Sequence, residues 1–243
     1  MGNTEVMEMR GNRFKTGIGI MAAMTVFYFI WIIFGGNLRQ FYMIWNLILA
    51  WIPLSMVLVI DAIDKRYGER SWTRFIIIFM WILWILFYPN SPYMITDFIH
   101  ISPNEYYLIN PNYTPYSGQP KILFNDDIRI WIDLINIAIG VWLGYTAGFI
   151  SLYKNQKRLL RRFNSLISWI FVLIVNLLTG IAVHIGRFNR WNSWDIIFNP
   201  VNIIKIFQDI GNIKALKFIL LFAAFNLILY VINCVLVELI RDK

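Results

Sequence analysis

Six runs of apolar residues, each bounded by charge or proline, organise the chain. Positions 16–34 and 41–60 contain no charged residue, and each is long enough to cross a bilayer core, which takes about 20 residues. The third run, 75–88, is short before Pro89. Starting its helix at Trp72, with Ser71 as cap and Arg74 snorkelling, gives a span of 72–88. Spans at about 130–153 (Asp133 near its start), 165–186 (His184 near its end) and 218–237 complete the pattern. The periodicity therefore predicts an all-α, polytopic membrane helix bundle: six transmembrane helices forming a single integral membrane domain over residues 1–243.

The positions of the cations orient the bundle. Segments 1–15, 61–74, 154–162 and 238–243 hold 14 of the 22 Lys and Arg residues, and the opposite connections hold 8. Removing the short third span would put the five cations of 154–162 on the other side. The distribution thus predicts six spans with both termini in the cytoplasm. The first run exceeds a leader's apolar stretch and reads as a retained helix.

Composition excludes other classes. The chain is 58% hydrophobic and 15% charged, with a mean hydropathy of +0.58, against about 45–50% and about 25% in soluble domains. A soluble enzyme, a disordered chain and a disulfide scaffold are all excluded. The net charge of +8 reads as a topology signal and an anionic-lipid contact, with no nucleic-acid partner. The one cysteine, Cys234, lies in an apolar run and forms no thiolate metal site.

Candidate chemistry concentrates on the outer side, in the connections 89–129 and 187–217. Six of the eight prolines fall in the first. Ser91-Pro92 there reads as the start of a short interfacial helix, with Tyr93, Thr96, Asp97 and His100 on one face and Met94, Ile95, Phe98 and Ile99 opposite. In the second connection, Asn199-Pro200 starts another, with Ile203, Ile204, Phe207 and Ile210 as its apolar stripe before Gly211. Asp133, Asn136, Gly140, Gly144 and Gly148 share one helix face; Asn176, Gly180, His184 and Arg187 share another. Ionisable residues at membrane depth mark functional sites by default. The spacing therefore predicts a polar pocket open to the outer face, lined by Asn46, Asp97, His100, Asp133, His184, Arg187, Arg190 and Asp195.

Within that set Asp133, His184, Arg187, Arg190 and Asp195 are the catalytic candidates, with Asp133 a general base and the two arginines holding a phosphate. Asp97, His100, Asp133 and His184 could form a two-histidine, two-carboxylate site for a divalent metal. The competing structural account pairs Arg187 with Asp133, Arg190 with Asp195 and Asp97 with His100 as an ion network. No HExxH, nucleophile elbow or phosphate-binding glycine loop is present.

The run Phe87-Tyr-Pro-Asn-Ser-Pro-Tyr-Met-Ile-Thr-Asp97 with His100, the Trp131-Ile-Asp133 triplet, and Gly186-Arg-Phe-Asn-Arg-Trp-Asn-Ser-Trp-Asp195 resemble a bacterial membrane family known as domain of unknown function 1361, over roughly residues 40–210. The resemblance implies a protein of the bacterial cytoplasmic membrane and brings no activity or cofactor.

Three functions fit this reading. The first is an enzyme, a hydrolase or transferase, on a lipid-linked or cell-envelope substrate such as a lipid-linked phosphate. The second is a transporter or binding protein for an anionic solute. The third is an assembly subunit with a membrane-protein partner in an envelope complex. The second lacks a visible polar stripe through the inner half of the bundle. The orientation itself is testable: reporter fusions after residues 68 and 240 are expected to read cytoplasmic, and fusions after residues 36 and 118 external. The reverse pattern would invert every inside–outside assignment.

Overall fold

The computed structural model describes residues 3–35, 38–68, 70–116, 118–191 and 211–241. It is 83% helical, with six helices long and apolar enough to cross a membrane among the described residues, and the chain is a multi-pass membrane protein. The helices are α1 (Asn3–Phe34), α2 (Phe41–Tyr67), α3 (Ser71–Phe87), the one-turn α4 (Asn90–Tyr93), α5 (Ile128–Arg162), α6 (Ser165–His184) and α7 (Ile213–Arg241).

Three expectations need correction. Helix α5 does not end at residue 153 but continues to Arg162, because Lys154–Arg162 is a good helix-forming stretch with no Gly or Pro to stop it. Helix α3 begins at Ser71 itself, with Arg70 in the cap position and no side-chain cap bond. Ser91-Pro92 does not cap an interfacial α-helix: both residues are buried inside α4, and the chain continues as a 3-10 helix over Met94–Ile101. Within that 3-10 helix Asp97 is buried and Phe98 and Ile99 are exposed, but Met94 is buried too and His100 is exposed. The two faces are therefore not divided as the spacing predicts, because a 3-10 helix turns every three residues rather than every 3.6. A further element was hidden by the surrounding prolines. Strands β1 (Tyr107–Ile109) and β2 (Ile122–Phe124) pair antiparallel, Leu108 opposite Leu123. The helix expected from Asn199 to Gly211 lies outside the described residues.

The chain forms two compact units. The first comprises residues 1–45 and 95–143 and the second 46–94 and 144–243. In the first, α1 is fixed to the N-terminal half of α5 through Asn136. The Tyr28 hydroxyl donates to the Asn136 carbonyl at 3.1 Å, and Trp31 Nε1 donates to Asn136 Oδ1 at 3.0 Å. Gly140 leaves room for Met43 and the Tyr28 hydroxyl, which an added Cβ would strike. The hairpin joins α5 through Trp131, whose Nε1 donates to the Asn125 carbonyl at 3.1 Å.

In the second unit, α6 and α7 pack where Gly180 meets the Ile219 carbonyl, and Asn226 Nδ2 donates to Asn176 Oδ1 at 2.7 Å. The Tyr230 hydroxyl donates to Gln156 Oε1 at 2.6 Å. Helix α3, about 25 Å long, is shorter than a bilayer core of about 30 Å. Its end is closed by Asn90 Nδ2 donating to the Phe87 carbonyl at 2.9 Å. Beyond it, Ser91 Oγ donates to the Ala50 carbonyl of α2 at 2.8 Å, and Gly148 and Gly144 of α5 make space for Ser91 and Met94. At the end opposite this break, Asp61 pairs with Lys154 at 2.6 Å and with Arg158.

The glycine at 180 is required by a backbone atom, which cannot swing away as a side chain can. Gly180→Ala is expected to destabilise the protein by about 1–3 kcal/mol through overpacking, while Gly19→Ala, with nothing within 4 Å of its new methyl, is expected to be neutral. Thermal unfolding of the two variants in detergent checks this.

Candidate polar clusters

Two groups of candidate residues are organised, one in each unit. In the first unit the segment before α2, the 3-10 helix and the start of α5 supply the side chains. Gln40 Nε2 donates to the Asp133 carbonyl and to Asp133 Oδ1, both at 3.2 Å, and Asn104 Nδ2 approaches Asp133 Oδ2 at 3.4 Å. The Asp133 carboxylate is thus held by two neutral amides, one on each oxygen. Two residues from Gln40, the Tyr42 ring stands 4.6 Å from that of His100. Four residues before Asn104, His100 is separated from Asp97 by 3.9 Å between Nε2 and Oδ1. Asp97 is 1% exposed, whereas the His100 side chain is 45% exposed. A buried carboxylate at ion-pair distance from an accessible imidazole makes His100 a candidate proton carrier.

In the second unit, α6 runs into a π-helical turn over Ile185–Asn189, a distortion often found at functional sites. Arg187 lies over the Tyr93 ring at 4.6 Å. Gly186 stands against the same ring, where a Cβ would approach Tyr93 to 3.2 Å. Arg190, which ends the turn, has a left-handed φ of 58°, a strained conformation for a residue with a Cβ. His184 packs between Phe188 and Phe218, with ring centres at 4.9 and 5.6 Å. Asn46 is half-buried in this unit. Asp195 lies outside the described residues.

The two most specific strings of the sequence, Phe87–Asp97 and Gly186–Asp195, therefore touch through Tyr93, Gly186 and Arg187. A model for a family of proteins of unknown function, DUF1361, matches residues 45–229. The chain belongs to this family. No curated protein and no solved structure matches the chain. The DUF1361 match contains Tyr93, Asp97, His100, Asp133, His184 and both arginines, while α1, Gln40 and Tyr42 precede it.

Among the described residues no three His, Cys, Asp or Glu side chains gather closely enough to hold a metal ion. Asp97, His100 and Asp133 of the first unit thus do not form a ligand sphere of their own. Sequence reasoning missed Gln40, Tyr42 and Asn104, the residues that fix Asp133 and His100. An amide and a phenol at the mouth of an apolar run were the available signal, and both also read as belt residues. It also missed the buried Asn155 and Gln156, because they lie beyond the predicted span of 130–153; with Ser151, Asn176 and Asn226 they give the second unit the polar interior that its apolar runs conceal.

The chain has two histidines, so their environments can be compared directly. Diethylpyrocarbonate is expected to modify His100 at least several-fold faster than the ring-enclosed His184, as read by peptide mass spectrometry. Equal rates would remove His100 as an accessible proton carrier.

Proposed function

We propose that the protein binds the phosphate-bearing headgroup of a membrane lipid or lipid-linked envelope intermediate at the π-turn closing α6, and acts on it as a hydrolase or transferase. The Arg187–Tyr93 stack carries this reading. A ring face fixes the plane of the guanidinium stacked on it, and Arg's planar fork of donors is suited to bidentate phosphate contacts. A second arginine, Arg190, follows three residues on at the left-handed end of the π-turn. Arg187, Arg190 and His184 are then the binding residues, with Asp195 a candidate from the same string. His184, in the same unit, is also the candidate proton carrier for turnover. The predicted orientation puts this chemistry on the outer face of the membrane.

Arg190→Gly separates the charge from the backbone. Glycine adopts the left-handed conformation without the penalty of about 1–2 kcal/mol borne by other residues, so the variant should fold at least as well as the parent. In nanodiscs, dioleoyl phosphatidic acid and a polyprenyl phosphate are expected to bind about 10-fold more weakly to Arg190→Gly and to Arg187→Gln, a change of about 1.4 kcal/mol, while binding of neutral diacylglycerol stays unchanged. Wild-type protein that prefers neither phosphate over the neutral lipid would overturn the proposal. Release of phosphate, or its transfer, that disappears in His184→Ala would establish turnover. Binding without either would reduce the protein to a lipid-binding one.

A further inference from the structure

A groove of about 720 Å³ runs between α1 and the N-terminal half of α5, within the first unit. Met24 and Phe27 of α1 and Ile135, Ile139 and Leu143 of α5 line it, together with Asn136. From Ile132 to Leu143 it extends about 16 Å along the helix, close to the depth of one leaflet, which is about half of a 30 Å core. Its walls are open to the surroundings, with Phe27 67% exposed, and those surroundings are hydrocarbon. A lipid chain is therefore the occupant that the groove's dimensions and lining suit.

Asn136 adds a polar requirement. It is 2% exposed; its Oδ1 accepts from Trp31 and its carbonyl from Tyr28, so the amide is fixed in one orientation. Its Nδ2 has no hydrogen-bond partner. A buried amide donor in a hydrocarbon setting demands an acceptor. Water is a poor candidate beside so apolar a lining, since a bound water needs two to four polar partners. An ester carbonyl at the head of an acyl chain meets the demand with a single bond, whereas a polyprenyl chain has no acceptor below its phosphate.

We infer that this groove holds one acyl chain of an ester-linked glycerolipid, its ester carbonyl accepting from Asn136 Nδ2 and its headgroup at the level of Asp133, one turn nearer the start of α5. The assignment stands on residues of the first unit and does not depend on the arginine reading of the second.

The test compares dioleoyl phosphatidylglycerol with its dialkyl ether analogue, which has the same headgroup and chain length but no carbonyl. Lipid retained by the purified full-length protein is measured by native mass spectrometry. Wild type is expected to retain the ester at least about 5-fold over the ether, the worth of one net hydrogen bond. Ile139→Trp, placed at an exposed lining position, is expected to fill the groove and release both lipids, and Asn136→Leu to retain both equally. Should Asn136→Leu fail to fold, the ester-to-ether ratio of wild type and the Ile139→Trp variant still decide. Equal retention by wild type, full retention by Ile139→Trp, or displacement of the ester by a polyprenyl phosphate would each overturn the inference. Arg187→Gln should leave the ester-to-ether ratio unchanged, so failure here and failure of the phosphate-binding proposal are told apart.

Discussion

A bilayer core offers no water to a backbone N–H or C=O, so irregular chain at membrane depth survives only where protein surrounds it. That constraint shapes the segment after α3. The helix stops at Phe87, and the two prolines that follow remove donors and forbid its simple continuation. The exposed carbonyls are answered locally: Tyr88 N donates to the Trp84 carbonyl at 2.7 Å and Tyr93 N to the Pro89 carbonyl at 2.9 Å. The side chains of the break are then packed away, with Ser91 bonded to the Ala50 carbonyl and Trp84 fully buried against Phe171 and Tyr88. Gly144 and Gly148 exist for this packing, because any side chain there would occupy the space of Met94 and Ser91. The glycine stripe of α5 therefore serves a broken helix of the same chain and is not free to receive a partner protein over that stretch.

The same constraint explains the pairing of polar side chains. Asn226 with Asn176 and Tyr230 with Gln156 are bonds between helices of one unit, where a polar group facing lipid would cost more than one facing another amide or phenol. Such pairs fix rotation about the helix axis as well as distance. Asn176, Gly180 and His184 lie on one stripe of α6. All three meet α7, His184 through the Phe218 ring, and only Arg187, within the π-turn, turns to the Tyr93 ring.

The six spans were legible because bilayer thickness imposes a length on every one of them, and length survives any ignorance of packing. Even the short α3 was recoverable, through the five cations that its omission would misplace. What could not be read was how the spans continue beyond the membrane boundary. Lys154–Arg162 has the charge of a loop but the propensity of a helix, and propensity prevailed. The 107–109 and 122–124 pairing spans twelve residues rich in proline, where local pattern carries no register. For the candidate site, the ionisable residues announced themselves by their cost in an apolar chain. Their partners did not: Gln40, Tyr42, Asn104 and Tyr93 are ordinary boundary residues in a sequence, and only the fold shows that they hold Asp133, His100 and Arg187.

That division bears on how the charges should be weighed. In the first unit two amides meet the Asp133 carboxylate, Gln40 on Oδ1 and Asn104 on Oδ2, and they fix its plane. In the second, the Tyr93 ring lies under Arg187 and fixes the plane of the guanidinium. In both units a neutral neighbour sets the orientation of a charged group, so the direction in which each charge can meet a partner is built into the fold before any partner arrives.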